Sequence, residues 1–409
     1  MNNKSIFIIA FLFCQGLLFS CNSEIEVMSD LPIMDDHPEN GKVIPNQYIV
    51  VLHDKFINFR KGDGTYEEEQ AALRKQMNLF LNSHKISEDN IKQVYVSSFS
   101  GFTARLDYDQ VARIKNDPMV NYIEEDRKVA LRPPWELNKQ EEISTQVIPY
   151  GIKRVKGGET YTGKNVVFVL DTGIDVDHID LNVEDKHGFN AFYDKKDGNR
   201  NQTKREFNDG HGHGTHVAGT IAAIDNNYGV VGVAAGATLV PVKVLDDYGR
   251  GSNSTVIAGI DFVGHRGKKG DVANMSIGGP PSMAVDQAVI NASEKKGVWF
   301  VIASGNSSMH ANTMSPQRAN GKYIMTVASI NSRDQFSWFS NYGRPPVDLA
   351  SPGEGILSTG LNDTYYYSSG TSMAAPHIAG LRLLGDIDTD GYAVSSKDGE
   401  KYPIGVRKF

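Results

Sequence analysis

Val166-Val-Phe-Val-Leu170-Asp171-Thr-Gly-Ile-Asp175 is the stretch on which the fold turns. Five apolar residues in a row, without alternation, read as a strand buried on both faces. The run stops on a carboxylate and then a glycine. Short helices and strands alternate after it: a helix is predicted over 213–224, a strand over 238–245 and a helix over 254–264. A strand end over 273–276, a helix over 284–295 and a strand over 298–303 follow. That alternation predicts an α/β fold, a mostly parallel sheet with helices on both faces. In such sheets the working groups gather at the carboxyl ends of the strands. Asp171, Ser276 and Asn306 all fall at or just past predicted strand ends.

Two further segments carry chemistry: His211-Gly-His213-Gly-Thr-His216-Val-Ala-Gly219 and Gly370-Thr-Ser372-Met-Ala-Ala-Pro-His377. With Asp171 they offer a carboxylate, an imidazole and a hydroxyl, the three groups that turn a serine into a nucleophile. Gly370 permits a sharp turn into a helix predicted over 371–384, and the Ser372 hydroxyl then stands where free N–H groups point outward. Other readings stand beside this one. Ser372 can be a plain helix cap. His211, His213 and His216 can be metal ligands of a hydrolase. Asp175 is a second acid in the same loop as Asp171.

The chain has 409 residues, room for two or three domains. Its formal net charge of −7 argues against nucleic acid as a partner. The two cysteines, Cys14 and Cys21, both precede the folded body, which therefore has no disulfide. Residues 1–20 read as an export signal, with Lys4 before an apolar stretch. Leu18-Phe-Ser-Cys21 resembles a lipobox, which would make Cys21 a lipidated first residue; durable anchoring takes more than one chain. No other run approaches the roughly 18 apolar residues of a membrane span. The body is expected outside the cytoplasm, secreted or tethered by lipid alone. Residues 21–45 read as a flexible polar spacer. A strand over 47–52, a helix over 67–82, a strand over 94–106, a helix over 109–116 and a strand over 120–125 then form a small α+β domain, 46–131. The stretch 132–144 reads as a linker and 145–409 as the main domain.

The three chemical segments closely resemble those of the subtilisin-like serine peptidases (subtilases), in the same order of Asp, His and Ser. The resemblance runs from about Tyr48 to Leu384. It implies a subtilisin-like fold and a serine endopeptidase working through an acyl-enzyme; a non-catalytic relative that binds peptides is the alternative within the family. It makes the first His of His-Gly-Thr-His the catalytic one, His213, and His216 structural, and leaves His211 outside the pattern. Asp171 then orients the imidazole. Asn306, in Ala303-Ser-Gly-Asn306, matches the oxyanion-hole asparagine. Gly249-Arg250-Gly251 and Ser276-Ile277-Gly278-Gly279 resemble the two edges that hold an extended peptide. Neither edge carries an acid, so an apolar side chain is expected before the cut bond, with Met314 flooring its pocket.

Gly101-Phe102-Thr-Ala-Arg-Leu106 and Tyr122-Ile-Glu-Glu-Asp126 resemble the family's propeptide domain. That domain assists folding and then blocks the cleft with its own tail; cleavage is expected within 132–144. The loop Ile224-Asp-Asn226-Asn-Tyr228-Gly-Val230 can turn alternate carbonyls inward. Gln146 and Asp180 match the remote family positions that complete a structural Ca²⁺ site. Gly385-Asp386-Ile-Asp388-Thr-Asp390-Gly391 begins like a second calcium loop, but Lys397 stands where a bidentate Glu is needed. It reads as an acidic turn of weak affinity at most. Residues 385–409 depart from the family and read as turns and a short strand.

Overall fold

The serine-rich stretch Val96-Ser-Ser-Phe-Ser-Gly101 breaks what the apolar pattern reads as one strand. In the computed structural model, which describes residues 37–57, 64–132, 143, 145–184, 186–192 and 207–409, two strands form there instead. The expected signal segment, Cys21 and most of the linker lie outside the described residues. The small domain runs β1 (Val43–Leu52), α1 (Tyr66–Ser83), β2 (Ile91–Tyr95), β3 (Gly101–Arg105), α2 (Tyr108–Ile114) and β4 (Val120–Ala130). Its strands lie in the order β4-β1-β3-β2, each pair antiparallel. The β2–β3 hairpin corrects the single strand over 94–106, and its cause is remote. The Asp261 carboxylate, from the large domain, accepts the N–H groups of Val96, Ser97 and Ser98 at 3.0, 2.7 and 2.7 Å, and the Ser98 hydroxyl at 2.8 Å. Gly101 is needed at the return: a Cβ there would lie 2.6 Å from the Val50 carbonyl oxygen.

The large domain begins with α3 (Tyr150–Arg154), β5 (Glu159–Thr160), β6 (Val167–Asp171), β7 (Phe189–Asn190), α4 (His213–Ala222) and β8 (Ala234–Ala235). β9 (Leu239–Lys243), β10 (Arg250–Ser252), α5 (Asn253–Arg266), β11 (Val272–Met275), α6 (Met283–Lys296), β12 (Trp299–Ala303) and β13 (Ile324–Ile330) continue it. It closes with β14 (Val347–Pro352), the hairpin β15 (Ile356–Thr359) and β16 (Tyr365–Ser368), α7 (Thr371–Leu384), β17 (Ile387–Tyr392) and β18 (Pro403–Arg407). The main sheet has the order β17-β18-β14-β13-β12-β11-β6-β9-β7, parallel except for β17. Alternate strand residues serve its two faces. Phe168, Leu170, Val242 and Ile302 pack with α5 and α6, whereas Val167, Val169, Val301 and Val327 pack with α4 and α7. The core of the small domain is continuous with the α5–α6 face.

Residues 385–409 are a strand hairpin on the edge of this sheet, not turns with one short strand. Ile404 and Val406 are buried there. The expected acidic turn is β17 itself. Asp390 is 3.1 Å from the Lys156 ammonium, and Asp386 is 3.3 Å from the Arg382 guanidinium. The strand corrects the reading as a turn, and the basic partners of these acids agree with discounting the stretch as a calcium loop.

Polar ties cross between elements far apart in sequence. Glu124 and Asp126 on β4 accept the backbone N–H groups of Ala284 and Ser254, in the first turns of α6 and α5, at 3.2 and 3.1 Å. Carboxylates are favoured at helix starts, where N–H groups lack partners. On α4, His216 Nε2 lies 3.0 Å from the Ile356 carbonyl oxygen and 3.1 Å from that of Tyr366. It therefore carries the proton and pins the β15–β16 hairpin.

Two outcomes follow from these ties. Asp261→Ala leaves three backbone donors without their acceptor, at about 1–3 kcal/mol for each buried donor. Denaturant unfolding of the whole chain should show a loss of at least about 2 kcal/mol. A loss under about 0.5 kcal/mol, the scatter of ordinary surface changes, would mean that the turn is held by other contacts. The second outcome concerns acid. Burial, with a smaller contribution from the charge of His213, pushes His216 down to about 3, against about 6.5 when unfolded. The native state then binds fewer protons between those values. Stability is full above about pH 6.5 and falls as pH drops towards 3, by about 3–5 kcal/mol from this group. The decline should be shallower in His216→Gln, measured as unfolding free energy against pH.

Candidate active site

Asp171 ends β6, an interior strand of the sheet between β11 and β9, and is fully buried. Its Oδ1 accepts from His213 Nδ1 at 2.7 Å and from the Thr172 N–H at 2.8 Å. His213 is the first residue of α4, and Gly212 before it turns at φ 97°. Gly214 has to be glycine, since a Cβ there would meet the Gly173 carbonyl oxygen at 2.0 Å. This turn is built on a carboxylate outside the His-Gly-Thr-His motif, Asp209. Its Oδ1 accepts the His211 and Gly212 N–H groups, both at 2.9 Å. Its Oδ2 accepts the N–H and the hydroxyl of Thr215 at 2.9 and 2.7 Å. Burial alone would raise the Asp209 carboxyl, but the Lys243 ammonium and the loop N–H donors outweigh it and hold it below its usual value. Asn-Asp-Gly just before the histidines was the available signal, an acid three residues ahead of the glycine that turns into the helix.

Ser372 is the second residue of α7, after Thr371 and the cap Gly370, whose φ of 157° and ψ of 161° belong to a region only glycine enters freely. Pro376 sits four residues on and has no N–H, so it cannot close a helix bond to the Ser372 carbonyl. That carbonyl accepts the Ser276 hydroxyl instead, at 2.8 Å. The Ser372 hydroxyl in turn donates to the Ser276 carbonyl at 3.1 Å. Ser276 follows β11, the neighbour of β6 in parallel register, so Ser372 and Asp171 share one end of the sheet. Asn306 follows β12. Its Oδ1 accepts the N–H and the hydroxyl of Thr371, both at 2.8 Å, which fixes the amide. A Cβ on Gly370 would lie 3.3 Å from Asn306 Nδ2 and 3.6 Å from the Ser372 nitrogen. The Asn306 amide nitrogen and the Ser372 nitrogen thus both lie close to Gly370.

The neighbouring histidines and the second acid have other positions. His216 is engaged with the hairpin carbonyls. His211 is buried, its ring centroid 6.4 Å from that of His213 and its Nε2 2.7 Å from where a Gly249 Cβ would stand. Burial pushes His211 down to about 4. The Asp175 carboxylate accepts the Asn362 N–H at 2.8 Å. Among the described residues no group of three or more His, Cys, Asp or Glu side chains is placed to hold a metal.

Gly249-Arg250-Gly251 lies against the small domain. β10 pairs antiparallel with β4, Arg250 opposite Ala130 and Gly251 opposite Val129, and the Leu131 N–H donates to the Gly249 carbonyl at 2.9 Å. In the other predicted edge, Ser276 holds the Ser372 turn. Gly279 pairs with Ser315, and Gly278 offers its carbonyl to the Asn40 side chain at 3.1 Å. A cavity of about 310 Å³ opens beside them, with Ile277, Gly278, Asn306 and Met314 in its wall and no acidic side chain. A larger cavity of about 570 Å³, at the amino ends of β6 and β9, is bounded by Lys164, Arg266, Lys268 and Lys296. It contains none of the candidate groups.

The predicted calcium residues also come together. Asp180 is buried, and its Oδ1 accepts Asn226 Nδ2 at 2.9 Å. Its Oδ2 accepts the Val230 N–H at 3.0 Å and the Tyr365 hydroxyl at 3.2 Å. Gln146 Nε2 donates to the Ile224 carbonyl at 3.1 Å, and the Tyr228 N–H to Asn226 Oδ1 at 2.9 Å. Burial pushes Asp180 up to about 6. Tyr365 was not foreseen; it arrives from β16, far away in the chain.

Residues 163–384 match the Subtilase family and residues 47–132 the Peptidase inhibitor I9 family. Subtilisin NAT of Bacillus subtilis subsp. natto is 38% identical over 288 residues, 69% of each chain. Subtilisin-like protease 1 of Pseudogymnoascus destructans is 34% identical over 385 residues, 90% of this chain and 88% of that protein. The extracellular serine proteinase of Thermus sp. is 35% identical over 359 residues, 85% of this chain and 81% of that protein. The crystal structure of a cold adapted subtilisin-like serine proteinase, 32% identical, aligns with a TM-score of 0.53 over 65% of this chain and all of that one. The buried Asp–His pair, the glycine-turned serine helix and these likenesses agree, and the chain belongs to the subtilase family of serine proteases, with an I9 inhibitor domain at its amino end.

Proposed function

We propose that this subtilase is a self-processing endopeptidase in which Asp171, His213 and Ser372 form the catalytic triad and Asn306 the side-chain half of the oxyanion hole. The observation that carries the reading is the 2.7 Å bond between Asp171 and His213 Nδ1, buried at the same sheet end as Ser372. With Nδ1–H held by the carboxylate, Nε2 is the nitrogen that takes a proton. Ser372 Oγ bonds to the peptide carbonyl carbon as its proton passes to His213 Nε2. The carbonyl electron pair moves onto oxygen, which Asn306 Nδ2 and the Ser372 N–H stabilise. His213 then gives the proton to the departing amine and the C–N bond breaks. Water, deprotonated by the same nitrogen, releases the acyl group from Ser372.

An extended substrate pairs with Gly249-Arg250-Gly251 once β4 has left, in the manner of an added strand. The acid-free cavity beside Met314 suits an apolar side chain before the cut bond. Glycines in Ile277-Gly278-Gly279 let a peptide backbone approach closely on the other side. We place the scissile bond of maturation within 132–144, after the tail that β10 holds. We place the enzyme outside the cytoplasm, secreted or tethered through a lipid on Cys21. The extracellular naming of the Thermus relative supports export. No helix among the described residues is long and apolar enough to cross a membrane. The acidic balance of the chain speaks against nucleic acid.

The Asp180 cluster fits Ca²⁺. It offers one buried carboxylate, the amides of Gln146 and Asn226, and the main-chain carbonyls of Ile224, Tyr228 and Val230, all hard oxygen donors. No basic side chain is among the described hydrogen-bond partners of Asp180. A half-turn of each amide would direct its oxygen inward. The ion would supply the missing positive charge and tie α4's following loop to the segment before α3.

Ser372→Ala should accumulate as an unprocessed chain, and Asn306→Leu should process and turn over slowly. The expected loss in Asn306→Leu is about 10²–10³ in kcat, a magnitude carried over from subtilisin itself. Normal maturation of purified Ser372→Ala would remove Ser372 from the mechanism, and unchanged turnover in folded Asn306→Leu would remove Asn306. Calcium should raise the melting temperature of the wild type, with about 2.7 kcal/mol gained when free ion is 100 times its Kd. Asp180→Ala should lose most of that shift. An equal shift in wild type and Asp180→Ala would place the metal elsewhere.

A further inference from the structure

The β4 tail meets β10 on one side, but the strip on its other side is not the second cleft edge. Residues 37–42, ahead of β1, lie there. The Gly41 N–H donates to the Lys128 carbonyl and the Lys128 N–H to the Lys42 carbonyl, both at 2.8 Å, so the segment extends the sheet by one short strip. Arg127 Nη1 donates to the Gly41 carbonyl at 3.1 Å. The Glu39 carboxylate sits between the ammonium groups of Lys128 and Lys42, and these two hold it at about 2, well below its usual value. Asn40 then reaches across the cleft. Its Nδ2 donates to the Gly278 carbonyl at 3.1 Å, and its Oδ1 lies 3.4 Å from the Ala130 nitrogen of the tail. A Cβ on Gly41 would stand 2.5 Å from the Pro280 ring, so the backbone packs directly on that edge. His37 and Asn40 line the mouth of the cavity that holds Met314 and Asn306.

We propose that residues 37–42 are a second inhibitory segment, docked on the Gly278-Gly279-Pro280 edge, with Asn40 as the bridge between that edge and the β4 tail. This rests on reading the cleft as the peptidase site. An extended substrate needs both edges, and the small domain engages them by two different pieces of chain. β4 takes Gly249-Arg250-Gly251, and the segment ahead of β1 takes Gly278. Cutting the linker frees neither piece, because both belong to the same domain. The segment therefore acts after self-cleavage, by slowing departure of the cleaved domain and holding the pocket shut meanwhile.

The test follows the full chain of wild type, Asn40→Ala and Asn40→Asp through maturation. Linker cleavage is read on gels, and the onset of activity with a short chromogenic peptide. The mature enzyme released from each is the same polypeptide, so final turnover is a common reference. Asn40→Ala should shorten the lag between linker cleavage and full activity at least threefold. Asn40→Asp should shorten it as much or more, since a carboxylate faces the Gly278 carbonyl. An unchanged lag in both, or a lag altered only because linker cleavage itself changes, overturns the proposal. A second arm does not depend on catalysis. In unprocessed Ser372→Ala, adding Asn40→Ala should speed hydrogen exchange at the Ala130 amide; unchanged exchange there counts against the bridge. If the exchange effect appears in that background but the chain with Ser372 intact never cuts its linker, the peptidase reading falls and the bridge stands.

Discussion

The Asp171 carboxylate lies wholly buried at the end of β6, an interior strand, and its surroundings have to supply donors to it. A buried charge without partners is far too costly to keep. Two donors answer it, the Thr172 N–H and the His213 ring. His213 can answer only if α4 starts at one position and one angle. That start is set by Asp209, which gathers four donors from the loop, and Lys243 offsets the second buried charge. Lys243 is on β9, opposite Asp171 in the sheet register, and its ammonium reaches the Thr172 carbonyl and Asp247. The proposed catalytic pair is thus one layer of a stack of charges whose geometry the parallel sheet imposes.

The same economy of backbone donors joins the two domains. Glu124 and Asp126 from the small domain meet the starts of α6 and α5, and Asp261 from α5 meets the turn between β2 and β3. Each domain supplies acids to N–H groups that the other leaves unpaired. With the shared apolar core, this makes the inhibitor domain a part of the fold of the peptidase and not an appended plug. The tail then lies along β10 without any further device, because β4 is already held by these caps. The third tie, through Asn40, is of a different kind. It touches the cleft itself and no helix end.

The cluster around Asp180 illustrates how far a resemblance reaches. All six residues taken from the family pattern are brought into one neighbourhood, yet Tyr365, which shares the Asp180 carboxylate, belongs to no pattern seen in the sequence. The acidic stretch at 386–390 began like a metal loop in its spacing, and in the folded chain basic side chains from α3, from α7 and from Lys156, two residues past α3, reach its acids.

The sequence by itself determined the alternation of strands and helices, the sheet end where the chemistry stands, and the three segments that hold Asp171, His213 and Ser372. It did so because apolar periodicity, glycine turns and Pro376 act within a few residues of themselves. It could not, without the family resemblance, say which of His211, His213 and His216 meets the carboxylate, since all three lie within six residues. Only the tertiary structure separated them, by bringing Asp171 to one ring and the carbonyls of Ile356 and Tyr366 to another. The β2–β3 turn, the C-terminal hairpin and the Asn40 bridge were illegible for the same reason. What decides each is the partner of a buried or docked polar group, and that partner arrives from far along the chain, 238 residues away between Asn40 and Gly278.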